Sequence, residues 1–259
     1  MAAAPKPLSP EAVELASTHR LGALEGTFVP KRLNRLIFAL YIFMTIHLLV
    51  MFVIPGLLFL WWLRRTPDFS RKQAAKRLHL FENGLIVNPQ SGDGTVVIRW
   101  DSVRLYQDIT QKIINGIPGP TEYVYSAVGP GRDSAGITHF YEGPEIWGPH
   151  MQQCVLRAQG PTALRSAREG GTVDFGYFSL SRTGITARTM GRLPWSDVRE
   201  IRIAAGRVLV TRTGGPGGPT GSGGPGGSGV WCNAAVSDVV NLHVFLAVAG
   251  ELSADGRAA

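Results

Sequence analysis

Residues 36–63 read LIFALYIFMTIHLLVMFVIPGLLFLWWL, twenty-eight positions without an Asp, Glu, Lys or Arg. The reading of this block decides the architecture. About 20 apolar residues suffice to cross a hydrocarbon core of roughly 30 Å. As one helix the block would extend about 42 Å at 1.5 Å per residue, so it would have to tilt, kink or overhang into the headgroups. Pro55-Gly56 offers the kink, because proline removes a ladder hydrogen bond and clashes with the preceding turn. Trp61 and Trp62 stand at the C-terminal edge, where indole rings favour the interface. A cleavable signal sequence is excluded: the block starts 35 residues in, is too long, and no small-residue cleavage pattern follows it. These features predict a single transmembrane segment over 36–63. The alternative is a hairpin that dips in and returns at Pro55-Gly56. Two full crossings are excluded, since each leg would be about half the length required. His47 has no acidic or basic residue near it in sequence, and reads as an interhelical contact rather than a proton relay.

The charge of the chain lies around this block. There are 26 Lys and Arg against 19 Asp and Glu. Residues 1–35 carry five basic and three acidic groups; residues 64–79 carry Arg64, Arg65, Arg71, Lys72, Lys76 and Arg77 against Asp68 alone; from Leu80 to Ala259 the count is fifteen of each. The six basic residues of 64–79 are therefore predicted to lie at the membrane surface, in a basic juxtamembrane linker. A nucleic-acid-binding protein would carry its excess charge on the folded domain, so no nucleic-acid partner is expected. Four basic residues precede the block closely (Arg20, Lys31, Arg32, Arg35) and six follow it. The positive-inside rule then places the C-terminal domain in the cytoplasm, at the cell membrane.

Upstream, SPEAVELASTHRLGALEG reads as a short helix in a tail over 1–35, capped by Ser9 with Pro10 at the first helical position and ended by Gly26. Downstream the texture changes to short β-type runs, and two stretches share a pattern. LHLFENGLIV is followed by TVVIRWDSVRLYQ, and FSLSRTGITA by GRLPWSDVREIRI. In each a strand meets a turn at Asn83-Gly84 or Thr183-Gly184, where glycine would supply a positive φ. A later strand leads into Trp100-Asp101 or Trp195-Ser196-Asp197, where a large buried indole and a turn-forming polar pair make a corner. Strands at 122–128 and 136–141 and a helix over 144–158 complete the first copy. Strands at 207–212 and 230–233 and a helix over about 237–252 complete the second. Gly84, Trp100, Asp101, Gly184, Trp195, Ser196 and Asp197 are structural residues on this reading.

At these residues the chain resembles the bacterial pleckstrin-homology-like domains, and is most similar to uncharacterised bacterial membrane proteins that carry them after a membrane segment. The resemblance implies an α+β protein: an N-terminal transmembrane helix, then two half-open β-barrels, over 80–158 and 172–252, each closed by a C-terminal helix. The run GGPGGPTGSGGPGGSG at 214–229, ten of its residues glycine, interrupts the second copy. It lacks the Lys-Ser/Thr ending of a phosphate loop and reads as a flexible loop.

No catalytic motif is present: no HExxH, GxSxG or Walker lysine. The six histidines and two cysteines show no ligand spacing, so no metal and no cofactor is expected. Glu142 and Glu145 read as complements to a helix dipole rather than as an acid–base pair. The second copy carries seven basic and three acidic residues over 172–213, and Arg188 and Arg192 flank its first hairpin. The leading reading is therefore a membrane-anchored, non-catalytic module that binds or organises a protein partner. An anionic-lipid sensor using Arg188 and Arg192 is the alternative, and a membrane enzyme of unstated reaction the third.

Overall fold

In the computed structural model, which describes residues 8–91, 94–114, 116–131, 133–213 and 229–258, the chain starts with helix α1 (Pro10–Thr18). Ser9 caps it, its hydroxyl accepting from the Ala12 amide at 3.2 Å, and Pro10 opens its first turn. The helix stops at Thr18, well before Gly26, because 24–28 belong to strand β1 (Leu24–Phe28). The segment expected as a tail thus enters a sheet. Then come α2 (Arg35–Met51), α3 (Val53–Leu63) and the single turn α4 (Arg71–Ala75). Only after these does the chain return as β2 (Leu78–Phe81), which pairs with β1 so that Phe28 faces Leu78.

Two units of the same order follow from this pairing. In the first, β1, β2, β3 (Gly84–Val87) and β4 (Val96–Arg99) form one antiparallel sheet. Strands β5 (Arg104–Ile114), β6 (Ile117–Val128) and β7 (Ser134–Thr138) form another, and α5 (Pro144–Arg168) follows. The helix runs ten residues past the expected end, straight through Pro161. In the second unit β8 (Thr172–Phe175), β9 (Phe178–Ser181), β10 (Gly184–Ala187) and β11 (Gly191–Pro194) make the four-stranded sheet. The three-stranded one holds β12 (Val198–Ala204), β13 (Arg207–Arg212) and β14 (Val230–Ala235), and α6 (Leu242–Ala258) closes the unit. The Gly-rich run between β13 and β14 lies outside the described residues except for Gly229.

The corner residues occupy matching places. Trp100 and Trp195 are buried, and their indole N–H groups donate to the Phe81 and Ser181 carbonyls at 2.8 and 2.9 Å. Those carbonyls belong to the residues immediately before each two-residue hairpin turn. Asp101 pairs with Arg99 at 2.7 Å, and Asp197 with Arg212 at 3.3 Å; Ser196 donates to Asp197. Gly84 and Gly184 do not have the positive φ expected of them. They are needed for space: a Cβ would lie 2.5 Å from the Ile98 carbonyl oxygen at Gly84, and 2.3 Å from that of Leu193 at Gly184.

One apolar core runs through both units, from Leu78 and Trp100 to Phe178, Phe245 and Leu252. Tyr125 meets Trp147 of α5 edge-on at 5.3 Å, and Phe178 stacks on Phe245 of α6 at 5.2 Å. These aromatic pairs add about 0.5–1.5 kcal/mol each beyond the area they bury.

The transmembrane helix expected over 36–63 is not formed. Among the described residues no helix is long and apolar enough to cross a membrane. The block is broken at Phe52, whose extended backbone (φ −145°, ψ 89°) separates two helices of 17 and 11 residues. The break falls three residues before Pro55, which then sits in the first turn of α3, where its missing N–H leaves no ladder position open. Gly56 lets the helices touch, since a Cβ there would lie 2.8 Å from the backbone of Leu49. A spanning helix ahead of two barrels is thus replaced, among the described residues, by six helices and four small antiparallel sheets, and the integral single-pass attachment to a membrane falls with it. The physical reason is long-range. Residues 29–77 leave the sheet at Phe28 and re-enter it at Leu78, which is paired with Phe28, so the excursion has to come back to its starting point. In the second unit the same connection, β8 to β9, is only Gly176-Tyr177.

Candidate functional site

The insertion between β1 and β2 carries the molecule's most unusual surface. Of residues 36–63 only Thr45, Gly56 and Leu63 are buried. Sixteen large apolar side chains of α2, α3 and their junction are exposed, among them Leu36 at 79% and Ile54 at 73%. Contiguous apolar patches beyond a few hundred Å² are rare on soluble monomers and mark contact surfaces. The two helices hold each other through a line of aromatic rings near their open end. Tyr41 meets Phe59 and Trp62 edge-on at 6.1 and 6.0 Å, Phe59 stacks on Trp62 at 5.7 Å, and Phe38 stacks on Phe69 at 5.0 Å. His47 is exposed, and its ring lies over Phe43 one turn away on α2.

The open end is basic and polar. The Leu33 amide donates to Asp68 Oδ2 at 2.9 Å, tying the segment before α2 to the segment after α3. Arg32 and Arg35 on one side, and Arg64, Arg65, Arg71 and Lys72 on the other, are exposed around this closure. Arg65 lies over the Trp61 ring at 4.1 Å, a cation–π contact that holds the guanidinium beside the apolar surface. Arg32, Arg35 and Arg71 line a cleft of about 690 Å³ with Phe38, Asp68 and Phe69. The two basic flanks that the positive-inside count set on opposite sides of a membrane therefore form one collar.

Two of the predicted surface residues do not join that collar. Lys76 is buried, and its ammonium donates to the Pro89 and Gln90 carbonyls. Arg77 is half-buried and donates to the Ala74 and Lys76 carbonyls. Arg188 and Arg192 are exposed on the β10–β11 side of the second unit, Arg188 donating to the Gly176 carbonyl at 3.5 Å. Glu142 precedes α5, its amide donating to the Val29 carbonyl, and Glu145 stands in the first turn of α5.

Three features escaped sequence reasoning. Asn241, buried just before α6, bridges the units: its side-chain oxygen accepts from the Leu105 amide at 2.8 Å, and its Nδ2 donates to the Val103 carbonyl and to Gln159 Oε1 at 3.0 and 2.8 Å. Gln159 in turn donates to the carbonyls of Trp100 and Val103. Second, His79 of β2 is buried against Thr27 of β1, with Nδ1 and Oγ1 2.9 Å apart, and burial beside Arg77 lowers its pKa to about 4. Third, the side chains that could hold a metal ion among the described residues are Glu25, His150 and Cys154. His150 and Cys154 lie four apart on α5, a spacing visible in the sequence, but Glu25 comes from 125 residues away.

No curated protein and no solved structure matches this chain. One family model does, over residues 6–257, and its description is a family of unknown function, DUF6585. The match takes in the insertion as well as both units, and the chain belongs to that family.

Proposed function

We propose that this protein attaches to the surface of an anionic membrane by seating the α2–α3 hairpin in one leaflet, without crossing, and holds its two β-rich units there as a platform for a protein partner. The observation that carries the reading is the hairpin itself: sixteen exposed apolar side chains along its length, Trp61 and Trp62 among them, and an arginine collar at its open end. Helix α2 reaches about 25 Å and α3 about 16 Å at 1.5 Å per residue, enough for one leaflet of a core roughly 30 Å thick. Lipid fits this surface better than a protein partner does. Tryptophan and arginine gather where apolar meets charged, the arrangement of an interface, and each basic group near an anionic leaflet is worth about 1 kcal/mol. The cytoplasmic leaflet carries such charge. The likeness to pleckstrin-homology-like domains belongs with this proposal; what supports it is the repeated order of four-stranded sheet, three-stranded sheet and helix.

Flotation of the full chain with vesicles tests the reading. Binding to anionic vesicles, weaker on neutral ones and reduced by salt, is the expected result. Val50→Asp with Ile54→Asp places two carboxylates in hydrocarbon at about 2.5–3.5 kcal/mol each and abolishes binding. Arg32→Gln, Arg35→Gln and Arg71→Gln together weaken binding to anionic vesicles by on the order of a hundredfold, and change it little on neutral ones. A full chain that ignores both vesicle types, or a double Asp variant that floats as well as the wild type, overturns the proposal and assigns the hairpin to a protein contact.

A further inference from the structure

Strand β1 carries a bulge: Leu24 pairs with Phe81 and Gly26 with Leu80, so Glu25 is an extra residue without a cross-strand partner. A bulge re-aims the side chain it adds, and this one turns the Glu25 carboxylate onto α5. There Glu25 Oε2 lies 2.7 Å from His150 Nε2 and 3.7 Å from Cys154 Sγ, and the thiol is 3.6 Å from the same imidazole nitrogen. From this geometry we infer that Glu25, His150 and Cys154 form a binding site for Zn²⁺, a three-ligand site that ties β1 to α5.

The distances fit a tetrahedral ion. Zn–S near 2.3 Å with Zn–N and Zn–O near 2.0–2.1 Å sets ligand atoms about 3.3–3.6 Å apart. Two of the three separations lie within about 0.1 Å of that range, and the third opens by about 0.6 Å when the His–Glu hydrogen bond gives way to the metal. A soft thiolate, an imidazole and one carboxylate together select zinc over magnesium or calcium, which take oxygen sets. The surroundings divide as they do around metal ligands. Glu25 turns Oε2 to His150 and Cys154, while its other oxygen lies 3.7 Å from Arg157, a partner that orients the carboxylate from behind. Arg157 also donates to Cys154 Sγ at 3.1 Å. The sulfur is buried while the His150 and Glu25 side chains are a third and a quarter exposed, so an ion has a way in and a fourth position faces water. That burial also argues against Cys154 as a nucleophile, which would need to reach a substrate.

Metal-stripped full chain titrated with Co²⁺, which reports coordination in its spectrum, tests the site. The expected result is one equivalent bound, with the strong visible bands of a four-coordinate ion and a thiolate charge-transfer band, both displaced by Zn²⁺. Cys154→Ser removes the charge-transfer band and Cys232→Ser keeps it. Arg157→Leu weakens affinity about 10–100-fold with the spectrum unchanged. Far-UV circular dichroism checks that each variant is folded. Should Cys154→Ser not fold, Glu25→Gln carries the comparison: it keeps the thiolate band, weakens binding and reduces the rise in Tm that Zn²⁺ gives the wild type. No saturable binding, a weak six-coordinate spectrum, or a thiolate band lost in Cys232→Ser overturns the inference.

Discussion

Asn241 is a single side chain of the second unit that hydrogen-bonds three residues of the first. It sits at φ +50° just before α6, and its amide group satisfies Leu105 N–H, Val103 C=O and Gln159 Oε1 in a buried site. Its backbone N–H donates to the Leu105 carbonyl, a bond that any residue at 241 retains. Asn241→Ala leaves the Leu105 amide without an acceptor, at about 1–3 kcal/mol for a buried donor. Gln159 Oε1 loses its donor too, although the Val103 carbonyl keeps the one from Gln159 Nε2. Alanine in the left-handed region adds roughly 1–2 kcal/mol, which asparagine tolerates better. Together these come to about 2–5 kcal/mol. With an m-value of about 3 kcal/mol/M, the urea midpoint should fall by roughly 0.7–1.7 M. The assay is urea unfolding in mild detergent, followed by tryptophan fluorescence and by circular dichroism, with both probes shifting together. Asn241→Gly, which accepts the positive φ but still loses the amide, should be no less stable than the alanine variant. A midpoint change below about 0.3 M, or a glycine variant clearly worse than alanine, would refute this account of how the units are joined.

Acidification should destabilise the fold by a mechanism with a defined window. His79 is neutral when folded, with its pKa lowered to about 4 by burial and by Arg77, against about 6.5 unfolded. Its contribution is therefore intact above pH 6.5 and lost as pH falls from 6.5 towards 4. His243, lowered by burial, adds to the same slope. His79→Gln should flatten stability against pH in that window without removing the slope entirely; an unchanged profile would contradict the assignment. Gly184→Ala should cost more than about 2 kcal/mol because its Cβ meets the Leu193 carbonyl, whereas Gly191→Ala, with open space but φ +75°, should cost only about 1–2 kcal/mol. Equal losses in thermal unfolding would show that the close approach is not the reason for glycine at 184. Gly56→Ile should push α2 and α3 apart, so that spin labels placed at Leu40 and Trp61 report a longer distance; an unchanged distance would mean that Leu49 does not set the contact.

What the sequence made legible was local. The Trp100 and Trp195 corners, and the strand–turn–strand pairs before them, are read from neighbouring residues, and they sit at matching places in two units of like order. The strand at 207–212 and the Ser9 cap are local in the same sense. The errors arose where a distant segment decides the outcome. The apolar block met the length criterion for a crossing, but β1 pairs with β2 across it, and that pairing joins residues 50 apart in sequence. Because 24–28 look like the end of a helix rather than an edge strand, nothing near the block announced that it is an insertion. The same blind spot hid Glu25. His150 and Cys154 stand one turn apart on α5, but only the bulge in β1 brings the third side chain to them. Glycine at 84 and 184 was recognised for its position and misread for its cause: the neighbouring strand, not φ, excludes a side chain.

The central claim is that residues 36–63 leave and return on one face of the membrane. A double variant, Lys31→Cys with Arg64→Cys, places one thiol at an exposed position on each side of the apolar block. The native Cys154 and Cys232 are buried and give the background, measured in the unsubstituted protein. With the protein reconstituted in sealed vesicles and treated with a membrane-impermeant maleimide, intact mass counts the labels on each molecule. The hairpin predicts two added labels or none, whichever way the protein is oriented. One label on every molecule would put the two positions on opposite faces and contradict the account.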